Sequence, residues 1–401
     1  MMFKKIIMVM GCGMLAACVQ QRQPVFFQTQ SSVAENQSVQ APTVAVVLPL
    51  SGESAKVGNS MKNAVMMSAF EHKNTPLKVL FFDTESKPEG AEKAYRWALA
   101  QKPDLVLGPI FSKEVAAIKE AGVSVPLLTF TSDTTLMTGQ VATMAVTVPE
   151  QARQIVRHAC SKGQRRLAVL APDSKSGEIA LNGLAEATES CPGMTMKKVS
   201  LYDANTMNFT NAIKKILPPD ADAKKSTGNM AARAGIDAIV VFDEGMKLRQ
   251  LLSILAFYDA GPRDIPTYGL TVVKQVSDTN VNGVYFADLD DSNYRNFSSE
   301  YERLFGVAPL RITPQMYDAM SWVFDQTERG RGISLPDLQA EDSYWGVDGL
   351  VRLNADGTNR RALQLKQKHG TRHTLIEASE RSFEPRISES WSNLLTQPAA
   401  R

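Results

Sequence analysis

Val44-Ala45-Val46-Val47-Leu48-Pro49-Leu50-Ser51-Gly52 decides how this chain is read. Its apolar run has no polar alternation, so it does not suit a strand with one wet face. A strand buried on both faces, as in a parallel sheet, fits it. Outward from it, a helix is expected over 57–70, a strand over 77–83 and a helix over 88–101. A short strand at 104–107 ends at Gly108-Pro109, a helix spans 112–121 and a strand 126–130, and 141–148 is another apolar run. The alternation then restarts. Helices are expected at 149–161, 177–190, 208–217 and 245–260, and strands at 166–171, 196–202, 237–243, 265–269 and 283–286. This spacing argues for an α/β chain of two doubly wound parallel-sheet lobes. The late segment differs. Residues 345–353 and 361–368 alternate apolar and polar around Asn354-Ala355-Asp356-Gly357, a hairpin signal with Asp-Gly in the turn.

The chain of 401 residues has 44 basic and 42 acidic side chains, and Lys4 and Lys5 lie in a removable leader. A net charge near zero gives no electrostatic case for nucleic acid. The length is enough for two domains with sizeable cores. Lys4 and Lys5 precede an apolar run over 6–15, too short to span a bilayer as a mature helix. Leu15-Ala16-Ala17-Cys18 closes it and is similar to a bacterial lipobox. That likeness implies a signal peptide over 1–17 and a lipid on Cys18, the first mature residue. The alternative is an ordinary secretory signal with Cys18 incidental. Residues 18–42, rich in Gln and Ser, read as a disordered tether. As a flexible coil it spans on the order of 25–30 Å. The folded body is expected over 43–380, with a tail at 381–401.

Cys12 leaves with the leader, so Cys160 and Cys191 remain in the body. They stay as two buried thiols or bridge, as an oxidising compartment permits. Each lies at the carboxyl end of an expected helix with one strand between. Parallel helices on one sheet face bring such ends together, so a disulfide is expected.

The Val44–Gly52 opening is similar to the first strand and loop of type I periplasmic-binding-protein folds. So are Gly108-Pro109-Ile110-Phe111-Ser112, Val125-Pro126-Leu127-Leu128-Thr129-Phe130, Tyr317-Asp318-Ala319 and Gly346-Val347-Asp348-Gly349. Within that group the chain resembles the penicillin-binding protein activator (LppC-type) lipoproteins. The family's better-known members carry a helical-repeat domain ahead of this fold, where this chain has the tether. The resemblance implies one lobe over 43–147 plus 288–332 and another over 148–287 plus 333–380, with a ligand cleft between them. It implies a lipid-anchored protein with Val19 after Cys18, sorted to the periplasmic face of the outer membrane. It further implies a peptidoglycan synthase as partner. The other expected role is substrate binding for an ABC permease, with a small polar ligand in the cleft.

Amino-acid receptors of this fold hold a carboxylate with backbone N–H groups and hydroxyls. The matching loops here offer Ser51, Ser112, Thr131, Ser132 and Thr134. Ser112 also suits a plain helix cap and 131–135 a polar turn. The loop at 173–177 lacks the aromatic residue common in those receptors, and Gly269-Leu270-Thr271-Val272 lacks their ammonium-pairing acid. Asp243 and Glu244 are the substitute acids, or caps for the following helix. No Gly-x-Ser-x-Gly, His-Glu-x-x-His or phosphate-binding lysine loop is present, so a non-enzymatic role is expected. No cofactor and no metal are expected. His369 and His373, at helical spacing, lack the acid such a zinc site uses.

Overall fold

The computed structural model describes residues 41–221 and 230–384. The first lobe begins β1 (Thr43–Leu48), α1 (Ala55–Glu71), β2 (Lys78–Asp83), α2 (Pro88–Leu99), β3 (Leu105–Leu107), α3 (Ser112–Ala121), β4 (Leu127–Thr129) and β5 (Val141–Thr143). Its sheet runs β2-β1-β3-β4-β5, all parallel, with β1 buried throughout. The apolar run at 141–148 is a strand only to Thr143. Met144 to Thr147 carry the chain across to the second lobe, where the Thr147 hydroxyl caps the next helix.

The second lobe follows with α4 (Val148–Ser161), β6 (Arg166–Asp173), α5 (Lys175–Glu189), β7 (Thr195–Asp203), α6 (Thr210–Ile216), α7 (Met230–Ala234), β8 (Ala238–Val241), α8 (Gly245–Phe257), β9 (Thr267–Gly269) and β10 (Tyr285–Asp288). The chain returns to the first lobe as α9 (Tyr294–Phe305), α10 (Thr313–Glu328) and α11 (Leu335–Ala340). The remaining strands are β11 (Tyr344–Gly346), β12 (Gly349–Leu353), β13 (Asn359–Arg361), β14 (Gln364–His369) and β15 (Arg372–Glu377).

The late segment departs from the expected simple hairpin. β12 and β13 pair antiparallel across the Asp356-Gly357 turn, as its Asp-Gly predicts, and β11 adds outside β12. Gly357 has φ +86°, and a Cβ there would lie 2.1 Å from the Val141 carbonyl oxygen. The segment 361–368 is not one strand. After Arg361 the chain crosses again, and β14 joins the second lobe's sheet, β15-β14-β10-β9-β8-β6-β7, antiparallel to β10. His369 and His373 therefore lie on neighbouring strands, not on a helix.

The lobe boundary expected at 333 moves for the same reason. Ile333, Leu335, Leu338, Val351 and Leu353 are buried in one cluster with Val44, Val46 and Leu48 of β1. Burying these side chains against the first sheet is favoured at about 25 cal/mol per Å² of apolar surface. The second lobe regains the chain only at β14. Cys160, at the end of α4, is bonded to Cys191 after α5, closing a span of 31 residues.

Candidate functional site

The carboxyl ends of β1, β3 and β4 are neighbours in the first sheet, so Ser51, Ser112 and the 131–134 loop follow one another along one edge. The structure gives these residues different jobs. The Ser51 N–H donates to Asp83 Oδ1 at 3.1 Å, and its carbonyl accepts from Ser86 Oγ at 2.7 Å. Ser112 begins α3 and is half-buried. Thr131 is buried, its hydroxyl accepting the Asp133 N–H and its carbonyl accepting the Thr143 hydroxyl at 2.7 Å. It shapes the loop. Ser132 is exposed and Thr134 starts a single 3₁₀ turn.

Across the cleft, Asp243 is already engaged. Its Oδ2 accepts the Tyr202 hydroxyl at 2.7 Å and its Oδ1 accepts the Glu244 N–H at 2.8 Å. Burial and this carboxylate both hold the Tyr202 hydroxyl protonated. Glu244 precedes α8 without capping it through its side chain, and lines a separate depression with Met246 and Arg249. The two acids are not brought together as a pocket for an ammonium group.

Asp133 was not among the sequence candidates, and it changes the chemistry of the edge. It accepts the Thr135 N–H at 3.1 Å and hydroxyl at 2.6 Å, and Lys175 Nζ from the second lobe at 3.3 Å. Burial alone would raise its carboxyl, but the bonds from Thr135 and Lys175 outweigh that and hold it below its ordinary value. This carboxylate belongs to the residue between Ser132 and Thr134, the loop that the sequence resemblance offered for a ligand carboxylate. An Asp followed two residues later by Thr is a turn signature. That much was legible. The pairing with Lys175, 42 residues away, was not.

A cavity of about 330 Å³ lies between the lobes beside the crossing strands. Thr134 and Thr147 line it with Glu150 and Arg153 of α4, Asn182 of α5 and Asn359 of β13. The Asn359 amide donates to the Thr143 and Ala145 carbonyls at 2.7 and 2.8 Å, while its Oδ1 is buried with no hydrogen-bond partner among the described residues. Glu150 accepts Arg153 Nε at 3.1 Å and the Arg361 N–H at 3.0 Å; burial nonetheless pushes its carboxyl up.

Behind this cavity charge is buried. Arg361 donates Nε and Nη2 to the Met144 carbonyl at 3.1 and 2.6 Å. Asp348 accepts Arg311 Nη1 at 2.6 Å. Asp318 accepts the N–H groups of Val347 and Asp348 at 2.7 and 3.2 Å. A Cβ on Gly346 would lie 2.3 Å from the Asp318 carboxyl carbon, so only glycine fits there. Burial, then the charge of Asp348, pushes the Asp318 carboxyl up to about 7. The late sequence motifs, Tyr317-Asp318-Ala319 and Gly346–Gly349, are therefore two halves of one contact. Nothing local marks such acids as buried.

His72, Asp325 and Glu328 bring ligand-type atoms within 4.8 Å of one another. His72 Nδ1 and the Thr75 hydroxyl both bond Glu328 Oε1, at 2.8 and 2.5 Å, which ties the end of α1 to α10. Cys18 lies outside the described residues.

Two parallel-sheet lobes, crossed three times by the chain and facing each other across strand carboxyl ends, define a type I binding-protein architecture. The chain belongs to the Periplasmic binding protein family, whose profile matches residues 42–336. Solved structures share the fold. A putative branched-chain amino acid ABC transporter from Rhodospirillum rubrum is 19% identical with a TM-score of 0.67, covering 84% of this chain and 100% of that one. A branched-chain amino acid ABC transporter periplasmic ligand-binding protein from Burkholderia xenovorans is 15% identical with a TM-score of 0.65, covering 86% and 97%. An ABC transporter substrate-binding protein from Desulfitobacterium hafniense, solved with Leu, is 16% identical with a TM-score of 0.60, covering 84% and 100%. Among curated proteins, the penicillin-binding protein activator LpoA of Photobacterium profundum is 27% identical over 159 residues, 38% of this chain. The matched stretch spans 26% of that relative's length.

Proposed function

We propose that this chain is a non-enzymatic lipoprotein, anchored through Cys18 on the periplasmic face of the outer membrane, that regulates peptidoglycan synthesis by binding a penicillin-binding protein. One observation carries the reading. The loop that would take a solute's carboxylate holds the ionised Asp133, tied across the cleft to Lys175. Placing a second carboxylate there is disfavoured by charge repulsion and desolvation. Asp243, offered by the sequence as a substitute acid on the opposing lobe's edge, is committed to Tyr202. The partial likeness to LpoA supports a protein partner instead of a solute.

The test is binding of the full-length chain, in non-ionic detergent, to purified peptidoglycan synthases from the same cell. A dissociation constant in the micromolar range or tighter, with polymerase or transpeptidase activity raised, is expected. No binding and no change in activity would reject the regulator. The Cys18→Ala variant is expected to leave the membrane fraction, since stable anchoring takes more than one acyl chain.

A second reading, an ABC substrate-binding lipoprotein for a small polar solute, is favoured by the interlobe cavity with its unpartnered Asn359 Oδ1. Cleft affinity for a polar solute, joined to loss of its uptake when the gene is deleted, would put this reading first.

A further inference from the structure

A larger cavity, of about 430 Å³, opens on the first lobe. It lies at the far end of α1 from the cleft: Ala55 and Glu71 mark the ends of that helix, a rise of about 24 Å. Two glutamates line it, Glu71 and Glu300, together with the buried Asp318, whose carboxyl is pushed up. So do the rings of Phe297, Tyr317, Tyr344 and Trp345. Among the described residues no lysine or arginine does.

The rings are held in place by packing. Tyr344 stacks on Trp322 with centroids 5.3 Å apart, and Phe297 lies 5.2 Å from Tyr317. The Tyr317 hydroxyl donates to Glu71 and so fixes that carboxylate at the wall. Glu300 is paired with Arg303 on its own helix, but both are solvent-exposed and such a pair is weak. Trp345 is 37% exposed, and the guanidinium of Arg381 lies 5.1 Å from its ring centroid. A cation from the chain's own late segment is therefore already held on that ring.

Aromatic faces carry negative potential, and carboxylates at the same wall add formal charge. An anion is repelled. A bare divalent ion would need several converging oxygen ligands, and rings occupy much of this wall. What fits is a cation with an apolar body. We propose that this cavity binds a small organic cation, an alkylammonium group seated against Trp345 and Tyr344 and neutralised by Glu71 and Glu300. The group is the same whether it comes as a free amine or as the lysine side chain of a peptide.

The experiment is calorimetric titration of the full-length chain in non-ionic detergent with choline and with n-butylammonium. The neutral isostere of choline, 3,3-dimethylbutanol, is titrated in parallel. Saturable binding of at least one cation is expected, with the alcohol about tenfold weaker or more. Trp345→Ala and Glu71→Gln are each expected to weaken it by about fivefold or more, as loss of one ring face or one charge should. Glu300→Gln, on an exposed helix position, supplies a variant whose folding is not at risk, and the same loss is expected there. Glu186→Gln, at the interlobe cavity, should leave binding unchanged. Tighter binding of a lysine tripeptide than of n-butylammonium would assign the group to a peptide. Equal or weaker binding would assign it to a free amine. No saturable binding of any cation, equal binding of the alcohol, or indifference to all three cavity variants would overturn the proposal.

Discussion

Among the described residues the first lobe's sheet has five strands, all parallel, while the second lobe's has seven, two of which come from late in the chain at one edge, β14 antiparallel to β10 and β15 antiparallel to β14. The lobes also treat charge differently. The first keeps acids deep at its base, where Asp318, Asp348 and the crossing Arg361 lie buried together. The second buries Asp288 between Lys274 and Lys366, ties Asp243 to Tyr202 and Glu377 to His158, and pins two helix ends with a disulfide. The first lobe is thus held to the crossings by buried electrostatics. The second adds a covalent tie to a buried ion pair of its own, so loss of a buried charge partner and reduction of the disulfide should strike the two lobes differently.

The largest effect is expected from Arg361→Leu. It removes the cation that offsets Asp318 and Asp348 and strips the Met144 carbonyl of its donors. Breaking such a buried arrangement costs about 3–5 kcal/mol. Urea denaturation should show this loss. A cost under 1 kcal/mol would mean the crossing does not depend on that charge.

Reduction or the Cys160→Ala/Cys191→Ala double variant should come next, lowering stability by about 3–4 kcal/mol through the freed unfolded chain. Non-reducing peptide mapping checks the bond itself. Because the loss falls in the second lobe, proteolysis under reducing conditions should cut near α4 and α5 before it cuts the first sheet.

How much of this contrast was legible in the sequence follows from what is local. Non-alternating apolar runs such as Val44–Leu48 mark strands buried on both faces wherever they occur, so the repeated parallel units of both lobes could be read. The Asp356-Gly357 turn could be read too. The partners of a strand are not local. Leu363 and Leu365 keep the same alternation whether they pair with β12 or with β10, so the split at Arg361 was invisible. The candidate site failed in the same way. Hydroxyls at strand ends were found, but Asp133 gains its role from Lys175 in the other lobe. Asp318 and Asp348 stand in motifs that carry the family resemblance, but nothing local in either motif marks the acid as buried.

A smaller effect should appear in pH dependence. Asp318, at about 7 in the folded chain against 3.8 for a free side chain, binds its proton more tightly when folded. Folding is therefore favoured at low pH, and that advantage is lost as pH rises through about 7. Glu114 and Glu150, also raised by burial, act in the same sense. His373, lowered by burial, acts oppositely. Denaturation midpoints measured from pH 5.5 to 8 should fall with pH. In Asp318→Asn that fall should flatten, even though the amide cannot accept both N–H groups and lowers stability overall. An unchanged slope in that variant would remove Asp318 from the account.

The central claim is that the cleft, despite its receptor-like fold, does not receive an amino-acid carboxylate, because the loop of Ser132 and Thr134 proposed to hold it carries the Asp133 carboxylate, tied to Lys175. Calorimetry on the full-length chain, unfolded and refolded to strip carried ligand, tests this with leucine, isoleucine and valine. An unpaired ligand charge facing a like charge in a closed cleft costs several kcal/mol, enough to remove micromolar affinity, so no saturable heat is expected. A dissociation constant of micromolar or tighter for any of the three would contradict the account and place the importer reading above the regulator.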